Sequence, residues 1–345
     1  MAADNIVELA AVLPNGTHVL ITPQSDPDLF WAFRGGGGST FGVVLSITVK
    51  VHPKIHMTVS QWSFSGSGNV SNATFWEATR IYLEHVPAII DSGSQAFTAV
   101  KPTDGILRFS MTSFVAPNLT IAEYNDLMQP FFTRLAKLGI TVEQNTTFHE
   151  SYLGAWQRAF PKVSAPYDPT RYVSATGSRL IPRKNIEDLN LFNHTFAALQ
   201  SITALGYPFI FYAQKNTAPK GVDNAINPAY RTSAIFLITQ GTYPQNSDPA
   251  RINSVRNAVT DGLVSILKKV TPGGGTYMNE ADVREKEWQQ SFFGANYPRL
   301  LTLKNKLDPE RVFYAKTAVG SEDWYIKDDK GLPEVQTGRL CRKIQ

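Results

Sequence analysis

The sequence predicts an α+β fold organised around a large antiparallel sheet with helices covering one face. Three observations lead to it. Segments of strand and helix character follow one another in a β-α-β-β-α-β order, and that order partly recurs in the second half of the chain. Units of this kind place their helices on one face of a sheet and leave the other face free to cover something. The third observation is size: 345 residues, 43% of them hydrophobic, are enough for a sizeable core and for more than one lobe.

In order, residues 6–13 and 17–22 are strand-like runs joined by Pro14-Asn15-Gly16. The Asn-Gly pair supplies the positive φ angles of a tight hairpin. Residues 26–33 read as a short helix closed by Arg34 and four glycines, and residues 41–51 as a strand. The first full unit then runs through a strand at 57–64, a helix at 73–90, paired strands at 96–100 and 106–115, a helix at 121–138 and a strand at 140–144. After a proline-containing, loop-rich stretch, strands at 172–181, 209–213 and 233–239 alternate with helices at 186–205 and 249–269. The last part reads as a helix over 281–290 and a break at Gly294. Asn296 or Tyr297 caps a second helix, with Pro298 in its first turn and Leu300, Leu303 and Leu307 as its apolar stripe.

A net charge of +4 with scattered basic residues argues against a nucleic-acid groove, and no window is apolar enough for a membrane-spanning helix. Asn-X-Ser/Thr occurs at Asn15, Asn69, Asn72, Asn118, Asn145 and Asn193, which suggests a secreted glycoprotein, and the lone Cys341 hints at a partner outside the chain. The first residues have no leader-like pattern and open directly in a strand, so Met1 is expected to be a late start within a longer protein. The histidines have no metal-ligand spacing, and no Gly-X-Ser-X-Gly elbow is present. Phe30, Trp31 and Phe33 read as core. Phe209, Phe211 and Tyr212 either line a substrate face or occupy alternate faces of a buried strand.

The most informative local run is Arg34-Gly35-Gly36-Gly37-Gly38-Ser39-Thr40-Phe41-Gly42-Val43-Val44. Its glycines let a backbone approach a ligand and turn N–H groups toward an anion. It lacks the Lys-Ser/Thr of a Walker loop, and it feeds a strand rather than a helix, unlike a nicotinamide dinucleotide fingerprint. On these grounds a plain turn and a diphosphate cradle stand level.

Asp28-Leu29-Phe30-Trp31-Ala32-Phe33 with the glycine run and Phe41-Gly42-Val43-Val44 resembles a signature of berberine bridge enzyme-like oxidases, within the vanillyl-alcohol oxidase group of flavoproteins. A second, distant stretch resembles the C-terminal segment of that family: Tyr277-Met278-Asn279, Trp288, Phe292 to Leu300, Lys304, Lys306, Asp308-Pro309 and Phe313. The ending through Trp324, with Gly338 to Arg342, is similar to the secreted fungal isoamyl alcohol oxidase group.

The resemblance implies a chain holding the C-terminal part of a flavin-binding α+β domain (residues 1–52) and an α+β substrate domain (53–275). It further implies a C-terminal segment returning to the flavin domain (276–325) and a tail (326–345). It implies FAD as cofactor, with Gly37, Gly38, Ser39, Gly42, Val44, Asn279 and Asn296 around it, a small alcohol, sugar or secondary metabolite as substrate, and molecular oxygen as acceptor. Tyr277 matches a tyrosine that acts as base in carbohydrate-oxidising relatives; a phenol, whose ordinary pKa is about 10, needs a nearby carboxylate or cation for that task. A packed tyrosine with a satisfied hydroxyl is the competing reading of Tyr277. The family's Arg-X-Gly-Gly-His run for flavin attachment has no match here. The rival to an oxidase is a non-catalytic binding or structural module without flavin.

Overall fold

The computed structural model describes residues 1–38, 40–160, 174–327, 331 and 338–343. The chain opens with β1 (Ile6–Val12) and β2 (His18–Ile21), paired antiparallel with Leu9 opposite Ile21. Helix α1 (Pro27–Phe33) starts at Asp26, whose carboxylate accepts from the Leu29 N–H at 3.0 Å, and has proline in its first turn. Strand β3 (Val43–Val49) then lies against β1, giving a three-stranded sheet in the order β2-β1-β3. Helix α1 packs two ways. Leu29 and Phe30 meet Leu9, Ala11 and Ile21 of this sheet, while Trp31 and Ala32 meet Phe41, Phe293 and Leu300. Strand β3 is an edge, and both its faces are exposed, including Val44, Leu45 and Ile47.

The large sheet is built from two units. The first comprises β4 (Met57–Ser65), α2 (Asn72–Asp91), β5 (Gln95–Thr103), β6 (Ile106–Pro117), α3 (Ile121–Lys137) and β7 (Asn145–His149). Helix α4 (Tyr152–Ala159) follows it. The second comprises β8 (Ser174–Pro182), α5 (Lys184–Glu187), α6 (Leu189–Ala204), β9 (Phe209–Ala213), α7 (Ala229–Thr232) and β10 (Ser233–Thr242), then α8 (Pro249–Asn257), a π-helical stretch Ala258–Val264 and α9 (Ser265–Val270). The seven strands are antiparallel in the order β7-β4-β6-β5-β9-β10-β8. In each unit the third strand lies between the first and second, and the units meet where β5 pairs with β9, Ala96 opposite Ala213. The repeat expected from element order is therefore a repeat of strand placement as well.

One face carries the core. Phe75, Tyr82 and Phe131 of α2 and α3 pack on Trp62, Phe109, Phe209, Phe211 and Leu237 of the strands. Each fully buried aromatic or aliphatic side chain contributes about 1.5–3 kcal/mol. Phe209 and Phe211 thus belong to the core, and within that expected trio only Tyr212 points to the other face, where it stacks on Phe236 at 6.0 Å. Over the first unit this second face is covered locally, since Ala155 and Ala159 of α4 pack on Met57 and Val59. Over the second unit it is left for the C-terminal segment.

Two elements differ from the sequence reading. The strand expected at 140–144 lies at Asn145–His149, because Ile140 instead closes α3: its N–H bonds to the Leu135 carbonyl around Gly139, whose φ is +75°. That is a Schellman closure, and the apolar residue after the glycine packs back on the helix. The helix expected over 281–290 is replaced by turns across 281–287, and only its end is helical, in the π-helical stretch Gln289–Phe293. Asp282 accepts from the Arg284 N–H and the Thr260 hydroxyl, and Glu285 binds Lys268 and the Ser291 hydroxyl, so these buried acids are fixed by partners from other elements and not by a helix of their own. Beyond it, α10 (Tyr297–Leu307) starts after Asn296 as expected, and β11 (Trp324–Lys327) pairs with β12 (Arg339–Arg342).

Candidate flavin and substrate cleft

The glycine run leaves α1 through Arg34. Its buried guanidinium donates to the Phe30 carbonyl at 3.0 Å and to the Asp223 carbonyl, lying 3.9 Å over the Phe30 ring. This brings residues 223–227 of the substrate-side lobe onto the loop. At Gly35, φ is +136° and a Cβ would stand 2.2 Å from the Ile226 backbone nitrogen, so only glycine permits the approach. Gly36 is likewise enclosed, with Leu300 and Phe41 on either side. Gly37 faces Met278 and Phe293, and Gly38 faces open space in a cleft of about 750 Å³.

The far end of the loop is clamped from the C-terminal segment. Lys304, fully buried, donates to the Thr40 carbonyl, to the Asp308 carboxylate at 2.6 Å and to the Phe313 carbonyl at 2.8 Å. Asp308 also accepts from the Val312 and Phe313 N–H groups at 2.7 and 3.0 Å. Burial lowers the Lys304 ammonium's pKa in spite of that carboxylate. Burial pushes the Asp308 carboxyl up, but Lys304 and the two N–H donors more than offset it and hold it below the ordinary range.

The cleft runs between this loop and the second unit's open sheet face. Thr176 of β8, Ile210 of β9, and Ile238 and Gln240 of β10 form its floor. Met278, Asn279, Glu280 and Asp282 form one wall, with Ala315 and Ala318 beside them. The wall is fixed by an added strand-like pairing: the Leu180 N–H donates to the Gly275 carbonyl at 2.8 Å, and the Thr276 N–H to the Ser291 carbonyl at 2.7 Å. The next residue is Tyr277. Its ring stands edge-on to Tyr230 and Phe236 at 6.4 and 6.0 Å, and its hydroxyl accepts from the Asn279 amide at 2.8 Å. Tyr277 does not itself line the cleft; it borders it through Asn279, which does.

A turn closed by the Glu280 N–H on the Tyr277 carbonyl holds Tyr277, Asn279 and Glu280 together. Burial pushes the Glu280 carboxyl above its ordinary range. Burial, then the proximity of Tyr277 and Glu280, drives the Tyr230 phenol well above its ordinary value, and burial followed by Glu280 raises that of Tyr212. The site therefore has a raised carboxyl beside phenols that stay protonated, and an exposed tyrosine oriented by an amide.

The structure separates the residues singled out from sequence. Gly38 and Asn279 line the cleft, Gly37 touches its Met278, and Tyr277 adjoins it. Ser39 lies outside the described residues. Asn296 is not at the cleft: its amide donates to the Ile226 carbonyl at 3.0 Å, pinning from one side the segment that Gly35 meets from the other. Gly42 packs on β1, where a Cβ would stand 2.7 Å from the Val12 carbonyl oxygen, and Val44 projects from the exposed β3. Sequence reasoning missed Glu280, Gln240 and Arg256. Glu280 had a signal, an acid directly after Tyr-Met-Asn; the other two come from strand and helix positions whose facing only the fold reveals.

The cleft suits the ring end of a flavin. Its volume is within the roughly 300–1,000 Å³ of small-molecule sites, its floor sets apolar Ile210 and Ile238 between polar Thr176 and Gln240, and Gly38 presents backbone without a side chain.

Comparison with known proteins leads to flavoproteins. Residues 276–320 match the family described as "Berberine and berberine like". The chain is 33% identical to the FAD-linked oxidoreductase patO of Aspergillus clavatus, over 99% of this chain and 57% of that protein. It is 32% identical to the VAO-type flavoprotein oxidase VAO615 of Thermothelomyces thermophilus, again over 99% and 57%. The crystal structure of the VAO-type flavoprotein MtVAO615 from Myceliophthora thermophila superposes with a TM-score of 0.86 at 30% identity, covering 99% of this chain and 60% of that one. The chain thus spans little more than half the length of these relatives. Over that span it is similar to the berberine bridge enzyme-like flavoproteins of the vanillyl-alcohol oxidase superfamily.

Proposed function

We propose that the cleft takes the isoalloxazine end of FAD on its loop side and a small alcohol or sugar on its sheet side, and that the whole protein oxidises a hydroxyl of that substrate. The bound flavin would supply the acceptor for a hydride, with molecular oxygen as the final oxidant. The observation that carries this reading is the Tyr277–Asn279–Glu280 turn at the cleft's wall.

In this reading Tyr277 Oη takes the substrate's hydroxyl proton as the carbon gives up its hydride, a task geometry must serve before pKa does. Asn279 holds the phenol oxygen by donating to it, which leaves the oxygen's remaining lone pair for the substrate. Glu280, raised by burial, is suited to receive the proton from the phenol and pass it outward. Ile210 and Ile238 keep water off the sheet side. Gly37 and Gly38 would hold the flavin edge by backbone N–H groups.

The test is a titration of the purified chain with FAD, read by quenching of flavin fluorescence, followed by hydrogen peroxide release over a panel of alcohols and oligosaccharides. Saturable binding is expected. Tyr277→Phe should bind FAD as the parent does and lower turnover by about 10²–10⁴-fold, the range of a lost general base. A chain that stays colourless with FAD, or a Tyr277→Phe variant with full turnover, refutes the proposal.

A further inference from the structure

The cleft contains a cation that the proposed proton transfer does not use. Arg256 belongs to α8, on the helix-covered side of the sheet, yet it lines the cleft with Ser174, Ala175 and Thr176 of the edge strand β8. Its side chain therefore reaches around the sheet's edge. Its Nη1 is shielded from solvent and, among the described residues, has no hydrogen-bond partner and no carboxylate in an ion pair with it. Three polar groups of its helix and of the cleft wall are committed elsewhere. Asp282 accepts from Thr260 and the Arg284 N–H, and Asn253 and Asn257, on the same helix, accept from the Arg284 guanidinium at 2.6 and 2.7 Å.

A buried guanidinium nitrogen without an acceptor is costly, and a planar two-donor fork is the counterpart of a carboxylate. The position along the cleft matters too. Phe236 packs on Tyr277, whereas Gln240, four residues on in β10, shares the cleft with Arg256. Four strand residues span about 13 Å. Between these points the floor is Ile210 and Ile238.

We infer that Arg256 is a specificity-determining residue for an elongated hydroxy acid: an alcohol with an apolar or aromatic body whose carboxylate lies at the end remote from the hydroxyl presented to Tyr277. This rests on the oxidase reading for the hydroxyl end, but the carboxylate end can be tested without turnover.

The probe is a biphenyl with a hydroxymethyl group at one para position and a carboxylate at the far para position, compared with its neutral methyl ester. Binding of each to the 345-residue chain is measured by calorimetry, with and without added FAD. The acid should bind about tenfold or more tighter than the ester, as for a hydrogen bond to a charged group. Arg256→Met should bring the acid down to the ester's affinity while leaving the ester unchanged; Arg256→Lys should keep part of the preference and so control for folding. Equal binding of acid and ester by the parent chain, no measurable binding of the acid, or a preference that survives in Arg256→Met overturns the inference. A variant that loses FAD affinity but keeps the acid preference assigns Arg256 to the flavin and overturns it as well. Failure to bind FAD with the preference intact would instead sink the oxidase reading alone.

Discussion

Replacing Lys304 by methionine tests whether the C-terminal segment holds the glycine loop in shape. The ammonium is wholly buried and donates to three oxygens, one of them the Thr40 carbonyl at the end of the loop. Removing it strands the Asp308 carboxylate, itself 1% exposed, with only the two N–H donors that follow it. Breaking a buried pair from one side costs about 3–5 kcal/mol. If the loss falls on the local opening of residues 36–42, their amide exchange should accelerate by about two to four decades, since ~1.4 kcal/mol is a factor of ten. The assay is native-state hydrogen exchange resolved by mass spectrometry, with the β4–β6 strands as an internal reference. A Lys304→Met, Asp308→Leu double variant leaves no orphaned charge and should recover much of the protection. Unchanged loop exchange in Lys304→Met, or a double variant worse than the single, would refute the clamp.

Three further outcomes follow. Asp4 is 4% exposed and bound by Arg231 through both carboxylate oxygens at 2.7 and 2.9 Å; burial pushes its carboxyl up, but Arg231 and further donors hold it well below the ordinary range. A depressed folded pKa gives stability that is present above the unfolded carboxylate value and lost as pH falls through the folded one. Thermal melting should therefore show an acid-side loss below about pH 4 that Asp4→Asn diminishes. Gly35→Ala should fold poorly, since its Cβ would strike the Ile226 backbone at 2.2 Å, whereas Gly38→Ala, with nothing within 4 Å, should melt as the parent does and weaken FAD binding measured by fluorescence. Because Glu280 has a carboxyl raised by burial, its ionised form appears only above the ordinary carboxylate range; the pH–rate profile should rise through that raised pKa, and Glu280→Gln should flatten the limb.

Much of the fold was legible because its signals are local. Asp26-Pro27 marks the start of α1, the Asn-Gly pair marks the first hairpin, and the order of strands and helices in 57–270 carries the doubled unit. What failed was decided by distant partners. Nothing near residues 281–290 announces that Asp282 and Glu285 will be buried against Thr260 and Lys268, and that tertiary commitment is what unwinds the expected helix. The site divides the same way. Tyr277, Asn279 and Gly38 stand in recognisable runs, while Asn296, in an equally recognisable run, proves to brace Ile226. A motif records that a residue is constrained, not whether a ligand or a neighbouring carbonyl constrains it.

The doubled sheet has a consequence for how such a protein can change. In one copy the second face is sealed by α4, so substitutions there must satisfy a packed helix. In the other, Ile210, Ile238 and Gln240 face the cavity, while Tyr212 and Phe236 beside them pack on each other. Foundation and workbench are thus cut from the same plan but kept on separate strands. New chemistry can be explored by replacing floor residues of β8, β9 and β10 while β4, β5 and β6 keep the whole upright.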